Sequence, residues 1–159
     1  DGAIHLARSY SDGKLDGTLL QYYPDGKLRR EEHYSENQCT GGKMFDEHGT
    51  EMEHQPYFVF PSFPGEIENL MKLVANVTKY PEDAWKQKAE GRVILRFVVD
   101  EEGKMTHPQI LQSVRYDIDK EAIRAFEAIA DVYRWSPGYQ DGEAKRVKFT
   151  IPLYFRIPK

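Results

Sequence analysis

Arg146-Val147-Lys148-Phe149-Thr150-Ile151-Pro152-Leu153-Tyr154-Phe155-Arg156-Ile157 carries Val, Phe, Ile or Leu at every odd position from 147 to 157. The even positions hold Arg, Lys, Thr, Pro, Tyr and Arg. A period of two predicts a long β-strand with one face on a core. Pro152 has no N–H to give to a ladder, so it points to a sheet edge. A long edge strand with one dry face is either protected, here by Lys148, Pro152 and Arg156, or used as a rail on which another strand docks.

Upstream, residues 92–100 read as a second strand. Val93, Leu95, Phe97 and Val99 share one face and Ile94 and Val98 the other, which suggests a central strand. Glu101-Glu102-Gly103-Lys104 is a turn, and residues 106–114 return as a strand whose Pro108 again hints at an edge. Ile118, Ala122, Ile123, Phe126, Ile129 and Ala130 repeat at helical spacing, with Asp117 or Asp119 as the expected cap. Trp135-Ser136-Pro137-Gly138 stops that helix, and residues 139–145 lead into the last strand.

Before the sheet, Ile67, Leu70, Met71, Val74 and Val77 mark an amphipathic helix over residues 64–78, with Pro64 as its expected first residue. Thr78-Lys79-Tyr80-Pro81 breaks it, and a short helix is expected from Pro81 to about Ala89, ended by Gly91. Residues 56–63 hold prolines and aromatics and read as an extended, partly packed boundary.

The first 55 residues repeat. Tyr10-Ser11-Asp12-Gly13-Lys14-Leu15-Asp16-Gly17 aligns with Tyr34-Ser35-Glu36-Asn37-Gln38-Cys39-Thr40-Gly41, and Tyr22 and Gly26 match Phe45 and Gly49 at an offset of 23. Repetition of this kind indicates stacked hairpins. A meander of about four to five strands is expected, with turns at Pro24-Asp25-Gly26 and Asp46-Glu47-His48-Gly49. The spacing of glycine and tyrosine resembles MORN-type repeats and their antitoxin-like relatives, which implies a spacer or protein-contact surface. The fold class is therefore α+β: residues 1–55 form a small all-β meander, 56–63 a linker, and 64–159 a second domain. That domain places two helices on one face of a three-stranded antiparallel sheet, with an extra helix at its start.

Composition narrows the function. The 159 residues have a net charge of −4, which argues against nucleic acid as a partner. Residues 1–60 carry 6 Lys/Arg and 11 Asp/Glu, a balance of −5 that opposes an anionic membrane surface. The single cysteine, Cys39, makes no internal disulfide. His48 and His54 lie near Asp46, Glu47, Glu51 and Glu53, but no recognised ligand spacing is met, so neither a metal nor a cofactor is expected. Serines 9, 11, 35, 62, 113 and 136 sit in no nucleophile motif, and the carboxylates fall at turns and helix starts, so no catalytic residues are assigned. No run approaches a membrane helix. The first residue is Asp1 rather than Met, from which a mature or trimmed form is expected.

Tyr80-Pro81, Gly91-Arg92-Val93, Phe97-Val98-Val99-Asp100 with Gly103, Ile118-Asp119-Lys120-Glu121-Ala122, Trp135-Ser136-Pro137-Gly138 and the closing Val147 to Ile157 together resemble the TonB C-terminal domain over about residues 64–158. The resemblance implies a periplasmic energy transducer, anchored in the inner membrane of a Gram-negative bacterium and coupled to a motor complex there. Its domain would grip the TonB box of an outer-membrane transporter by strand addition and energise nutrient uptake. The site residues carried over are Arg146, Val147, Lys148, Phe149, Thr150 and Ile151 on the rail, with Tyr80 and Pro81 near it. If Pro152 faces the free side, Arg146, Lys148 and Thr150 offer their backbone outward and the odd residues pair inward. An open edge also permits a homodimer. The alternative is a soluble periplasmic adaptor or envelope scaffold that uses the same fold without energising transport.

Overall fold

The computed structural model describes residues 4–11 and 14–158. In chain order the elements are β1 (Ile4–Ser11), β2 (Lys14–Tyr22), β3 (Leu28–Ser35), β4 (Gln38–Phe45), β5 (Glu51–Met52), β6 (Phe58–Val59), α1 (Glu66–Val77), α2 (Glu82–Lys86), β7 (Gly91–Val99), β8 (Met105–Gln112), α3 (Tyr116–Ala130), β9 (Gly138–Gln140), β10 (Glu143–Lys145) and β11 (Val147–Phe155). The chain divides into two compact units, residues 1–60 with 139–144, and residues 61–138 with 145–159.

The first unit is built on an antiparallel meander in the order β1-β2-β3-β4-β5. Its ladder bulges at Gln21/Tyr22 and at His33/Tyr34. The stretch Asp12-Gly13, where one repeat places its turn, lies outside the described residues. Two later turns follow one template. Gly26 N–H donates to Tyr23 O at 2.9 Å and Gly49 N–H to Asp46 O at 3.0 Å, with both glycines at positive φ (89° and 84°). These are three-residue hairpin loops closed by a left-handed glycine. Among the residues whose burial is described, Leu15, Leu19, Tyr34 and Tyr57 form the apolar cluster of this unit. Residues 139–145, expected as a simple lead-in, form instead the β9–β10 hairpin, and β9 pairs with β6 as Phe58↔Gln140 and Val59↔Tyr139.

The second unit is an antiparallel sheet in the order β11-β7-β8, so β7 is central and both partners are edges. Val93, Leu95, Phe97 and Val99 of β7 are fully buried. Leu70 and Val74 of α1 and Ile118, Ala122, Ala125, Phe126 and Ile129 of α3 complete the apolar core with them. Several local expectations are corrected. Helix α1 starts at Glu66 after a left-handed Gly65, so Pro64 precedes it, and Ile67 is exposed rather than core. Helix α2 ends at Lys86, because Lys88 takes the left-handed conformation (φ 54°) and Ala89 N–H closes onto Ala84 O at 2.8 Å, a Schellman-type stop. Gly91 opens β7 instead. The N-cap position of α3 is Arg115, with no side-chain cap; Asp119 accepts from Val114 N–H at 3.0 Å and Asp117 from Ile118 N–H at 2.9 Å. Strand β8 ends at Gln112, two residues short of Val114.

Candidate partner-binding edge

Strand β11 pairs with β7 over nine consecutive residues, from Val147↔Val99 to Phe155↔Gly91, with no register shift. Its other side meets no further strand among the described residues. Ile151, Leu153 and Phe155 are buried, Val147 and Phe149 half-buried, and Lys148, Thr150 and Tyr154 exposed. Phe149 holds the N-terminal half of the strand down. Its ring lies 4.7 Å from Trp135 and 5.9 Å from Phe97, in an aromatic cluster that continues to Phe63 and Phe126.

Of the rail residues, Val147 to Ile151 lie in β11, but Arg146 stands before the strand begins. Its guanidinium Nε donates to Glu101 at 3.1 Å. It thereby adds positive charge beside the turn that Asp100 organises. Desolvation pushes the Asp100 carboxyl up, but the Lys104 and Glu102 N–H groups it accepts from at 2.9 Å, with the Lys104 and Arg146 cations, together outweigh it and hold the carboxyl below the usual range. Gly103 closes this turn with φ 80°, its N–H on Asp100 O at 3.0 Å, and Trp135 N–H reaches Gly103 O at 2.8 Å.

Tyr80 and Pro81 sit at the other end of β11. The Tyr80 ring packs edge-on against Phe155 at 5.7 Å and against Trp85 at 5.4 Å. Tyr80 Oη donates to Ala89 O, and burial pushes the phenol's pKa up. The structure therefore brings Tyr80 to residues 152–158 rather than to 146–151. Around it opens an apolar groove of about 570 Å³, lined by α1, Trp85 and the end of β11.

A family model described as the Gram-negative bacterial TonB protein C-terminal matches residues 76–157. The chain belongs to the TonB C-terminal family. The matched segment begins near the end of α1 and closes just past β11, so it includes the Tyr-Pro corner and the whole edge. TonB C-terminal domains are periplasmic, non-enzymatic protein-interaction domains of Gram-negative bacteria. Two NMR solution structures of the Helicobacter pylori TonB C-terminal domain are partial matches. One is 16% identical, covering 58% of this chain and 81% of that one at a TM-score of 0.48. The other is 17% identical, covering 56% and 90% at 0.45. No curated protein matches the chain. Among the described residues, no helix is long and apolar enough to cross a membrane.

Two residues fix the Tyr-Pro corner in a role the sequence reading did not assign, although Glu121 lies in a motif that carries the family resemblance. Glu121 accepts the Lys79 N–H, and Arg124 donates to Val77 O at 2.7 Å. Arg124 and Glu121 also pair with each other at 2.6 Å. Burial pushes the Glu121 carboxyl up, but Arg124 and the Lys79 N–H outweigh it and hold it below the usual glutamate range. The signal available in the sequence was weak: Glu121 and Arg124 are three apart on the rim of an amphipathic helix, the usual place of a solvated pair.

The meander has its own polar centre. Arg30, Glu32 and Gln21 are buried. Glu32 Oε1 accepts from Tyr34 Oη at 2.8 Å, and Oε2 lies 2.8 Å from Arg30 Nη1 and 2.6 Å from His54 Nε2. The Tyr57 N–H reaches both oxygens, at 3.0 and 3.1 Å. Arg30 continues to Gln21 at 3.1 Å, to the Gln55 carbonyl and to Asp141 at 3.2 Å. Burial raises the pKa of Tyr34, whose hydroxyl accepts from Phe58 N–H at 3.1 Å, and that of Cys39. His54 thus faces Glu32 across the sheet, whereas the His48 N–H is spent on Asp46 within its turn.

Proposed function

We propose that this chain is the periplasmic part of a TonB-type energy transducer, and that β11 takes the TonB box of an outer-membrane transporter as an added strand. Coupling to an inner-membrane motor through an N-terminal anchor belongs to the same reading. The observation that carries it is the side of β11 that meets no strand among the described residues, together with its unbroken register. Pro152 stands opposite Ile94. Proline has no N–H, so in a gap-free antiparallel ladder that pair is a non-hydrogen-bonded one. Lys148, Thr150 and Tyr154 share its parity and turn their N–H and C=O to the free side. Arg146 is replaced in this set by Tyr154, because the strand begins at Val147. Family membership supports the partner class: TonB C-terminal domains imply interaction with TonB-dependent outer-membrane transporters.

The test is an NMR titration of the labelled chain with peptides from transporter N-termini. The amides of Lys148, Thr150 and Tyr154 are expected to shift and gain exchange protection, while those of Phe149, Ile151 and Leu153 are protected throughout. Thr150→Pro removes one outward donor without touching the inner ladder, and is expected to weaken binding about 5- to 10-fold at about 1 kcal/mol per bond. A partner bonded through the odd residues overturns the parity. No binding by any transporter peptide overturns the transducer and leaves a soluble periplasmic adaptor. Concentration-dependent shifts of the same amides without peptide reveal a homodimer on this edge.

A further inference from the structure

We propose that the meander holds a divalent metal ion of the zinc class between Glu32, Cys39 and His54. One ligand atom from each of the three lies within 4.8 Å of the others. The trio comes from three separate segments. Glu32 lies on the inward face of β3, where positions 30, 32 and 34 are buried; Cys39 enters on β4 from beside Tyr34; His54 follows β5. A carboxylate oxygen, a thiolate and an imidazole nitrogen form a mixed hard and soft set that suits a borderline ion, and three protein ligands leave a fourth position for water.

The surroundings suit the ion. Glu32 is fully buried, while Cys39 and the His54 side chain are only partly so, which leaves an entry from their side. Tyr34 Oη and the Tyr57 N–H hold the carboxylate in place as outer partners. Arg30 also contacts Glu32, but its guanidinium is shared with Gln21, the Gln55 carbonyl and Asp141, so its charge is spread over two carboxylates. Gly42 makes the approach of His54 possible. A Cβ there would lie 2.8 Å from His54 Nε2, 2.9 Å from Glu32 Cγ and 2.6 Å from Glu31 O. Nε2 and Oε2 stand 2.6 Å apart, in hydrogen-bond contact. Metal–ligand bonds of about 2 Å separate two ligand atoms at a tetrahedral ion by roughly 3.3 Å. Binding therefore moves the partly exposed imidazole outward by about 0.7 Å on this estimate. Bound through Nε2, the imidazole carries its ring proton on Nδ1, and Cys39 binds as the thiolate with its proton released to solvent.

Cobalt(II) titration of the full chain tests this, with the thiolate-to-cobalt charge-transfer absorption as readout and zinc as competitor. One equivalent should bind, the band should be absent in Cys39→Ser, and zinc should bleach it in the parent chain. His54→Gln should weaken uptake at least about 10-fold, since losing a ligand exceeds the effect of losing an outer partner. Circular dichroism of Cys39→Ser, a near-isosteric change at a partly exposed site, shows that the fold survives. The proposal is overturned if no charge-transfer band forms, or if uptake is the same in the parent, Cys39→Ser and His54→Gln chains. The latter outcome would mark binding by scattered surface carboxylates.

Discussion

The two units of this chain are both antiparallel sheets, yet they are held together by opposite chemistry. The unit with β7 at its centre buries a continuous apolar set from β7, β11, α1 and α3. Its order comes from non-directional burial, worth roughly 25 cal/mol per Å² of apolar surface. Among its residues of described burial, the meander has a small apolar cluster and places Arg30, Glu32 and Gln21 inside. There each buried polar group is matched by a named partner, because an unmatched one costs more than a matched one contributes. The difference teaches where each unit tolerates change. The apolar unit should accept altered chemistry of similar volume and resist altered shape. The meander should do the reverse.

The largest expected effect is in the meander. Glu32→Gln keeps the shape but leaves Arg30 without its buried charge partner, and should cost about 3–5 kcal/mol in denaturant unfolding followed in that unit. If it costs under 1 kcal/mol, the polar centre is dispensable and the contrast fails. Next is Gly103→Ala. A Cβ at Gly103 would meet Trp135 O at 2.0 Å, so a shift of the backbone under the Phe149 cluster is required. A loss of about 3 kcal/mol is expected. Gly26 and Gly49 close turns of the same hydrogen-bonded form with open space around them. There alanine should cost only the left-handed penalty of about 1–2 kcal/mol. Equal losses at the three glycines would show that packing against Trp135 adds nothing.

Smaller still is Leu95→Met, a volume-conserving change at a fully buried position, expected to cost under about 1.5 kcal/mol. The smallest effect, about 1 kcal/mol, is expected for Glu121→Gln at the Tyr-Pro corner. Its pH dependence has a definite sign. The folded carboxyl is held below the ordinary glutamate value, so its contribution is present above that value and is lost as pH falls through the folded pKa. The stability gap between parent and variant should be full at neutral pH and close below about pH 4.5. A gap that widens in acid would mean that Arg124 and Lys79 do not stabilise the ionised form.

Much of the second unit was legible because its residues obey simple periods. The alternations in β7 and β11 identify strand, face and edge, and the stripe of α3 locates Ile118, Phe126 and Ile129 in the core. The helix ends were less legible. Lys88 takes a left-handed stop that usually falls to glycine, and Gly91, which looked like that stop, opens a strand. In the candidate site, the continuous edge of β11 was readable, but the distance of Tyr80 from residues 146–151 was not. It depends on which end of β11 the corner after α1 meets. In the meander, Leu28-Arg29-Arg30-Glu31-Glu32-His33-Tyr34 has no apolar alternation to say which face turns inward. The answer lies in partners as far apart as Gln21, Gln55 and Asp141.

For the strand at 147–155, then, the chain's own alternation determined an edge strand with its odd side chains on a core, and Pro152 marked the side that cannot pair inward. Burial of apolar surface needs no particular partner, so a local pattern suffices to state it. The tertiary structure alone decided that Arg146 stands before the strand and binds Glu101, and that Tyr80 packs on Phe155. It alone also assembled Glu32, Cys39 and His54. Hydrogen bonds and ion pairs are directional and short-ranged, so their partners are known only once distant segments have been placed.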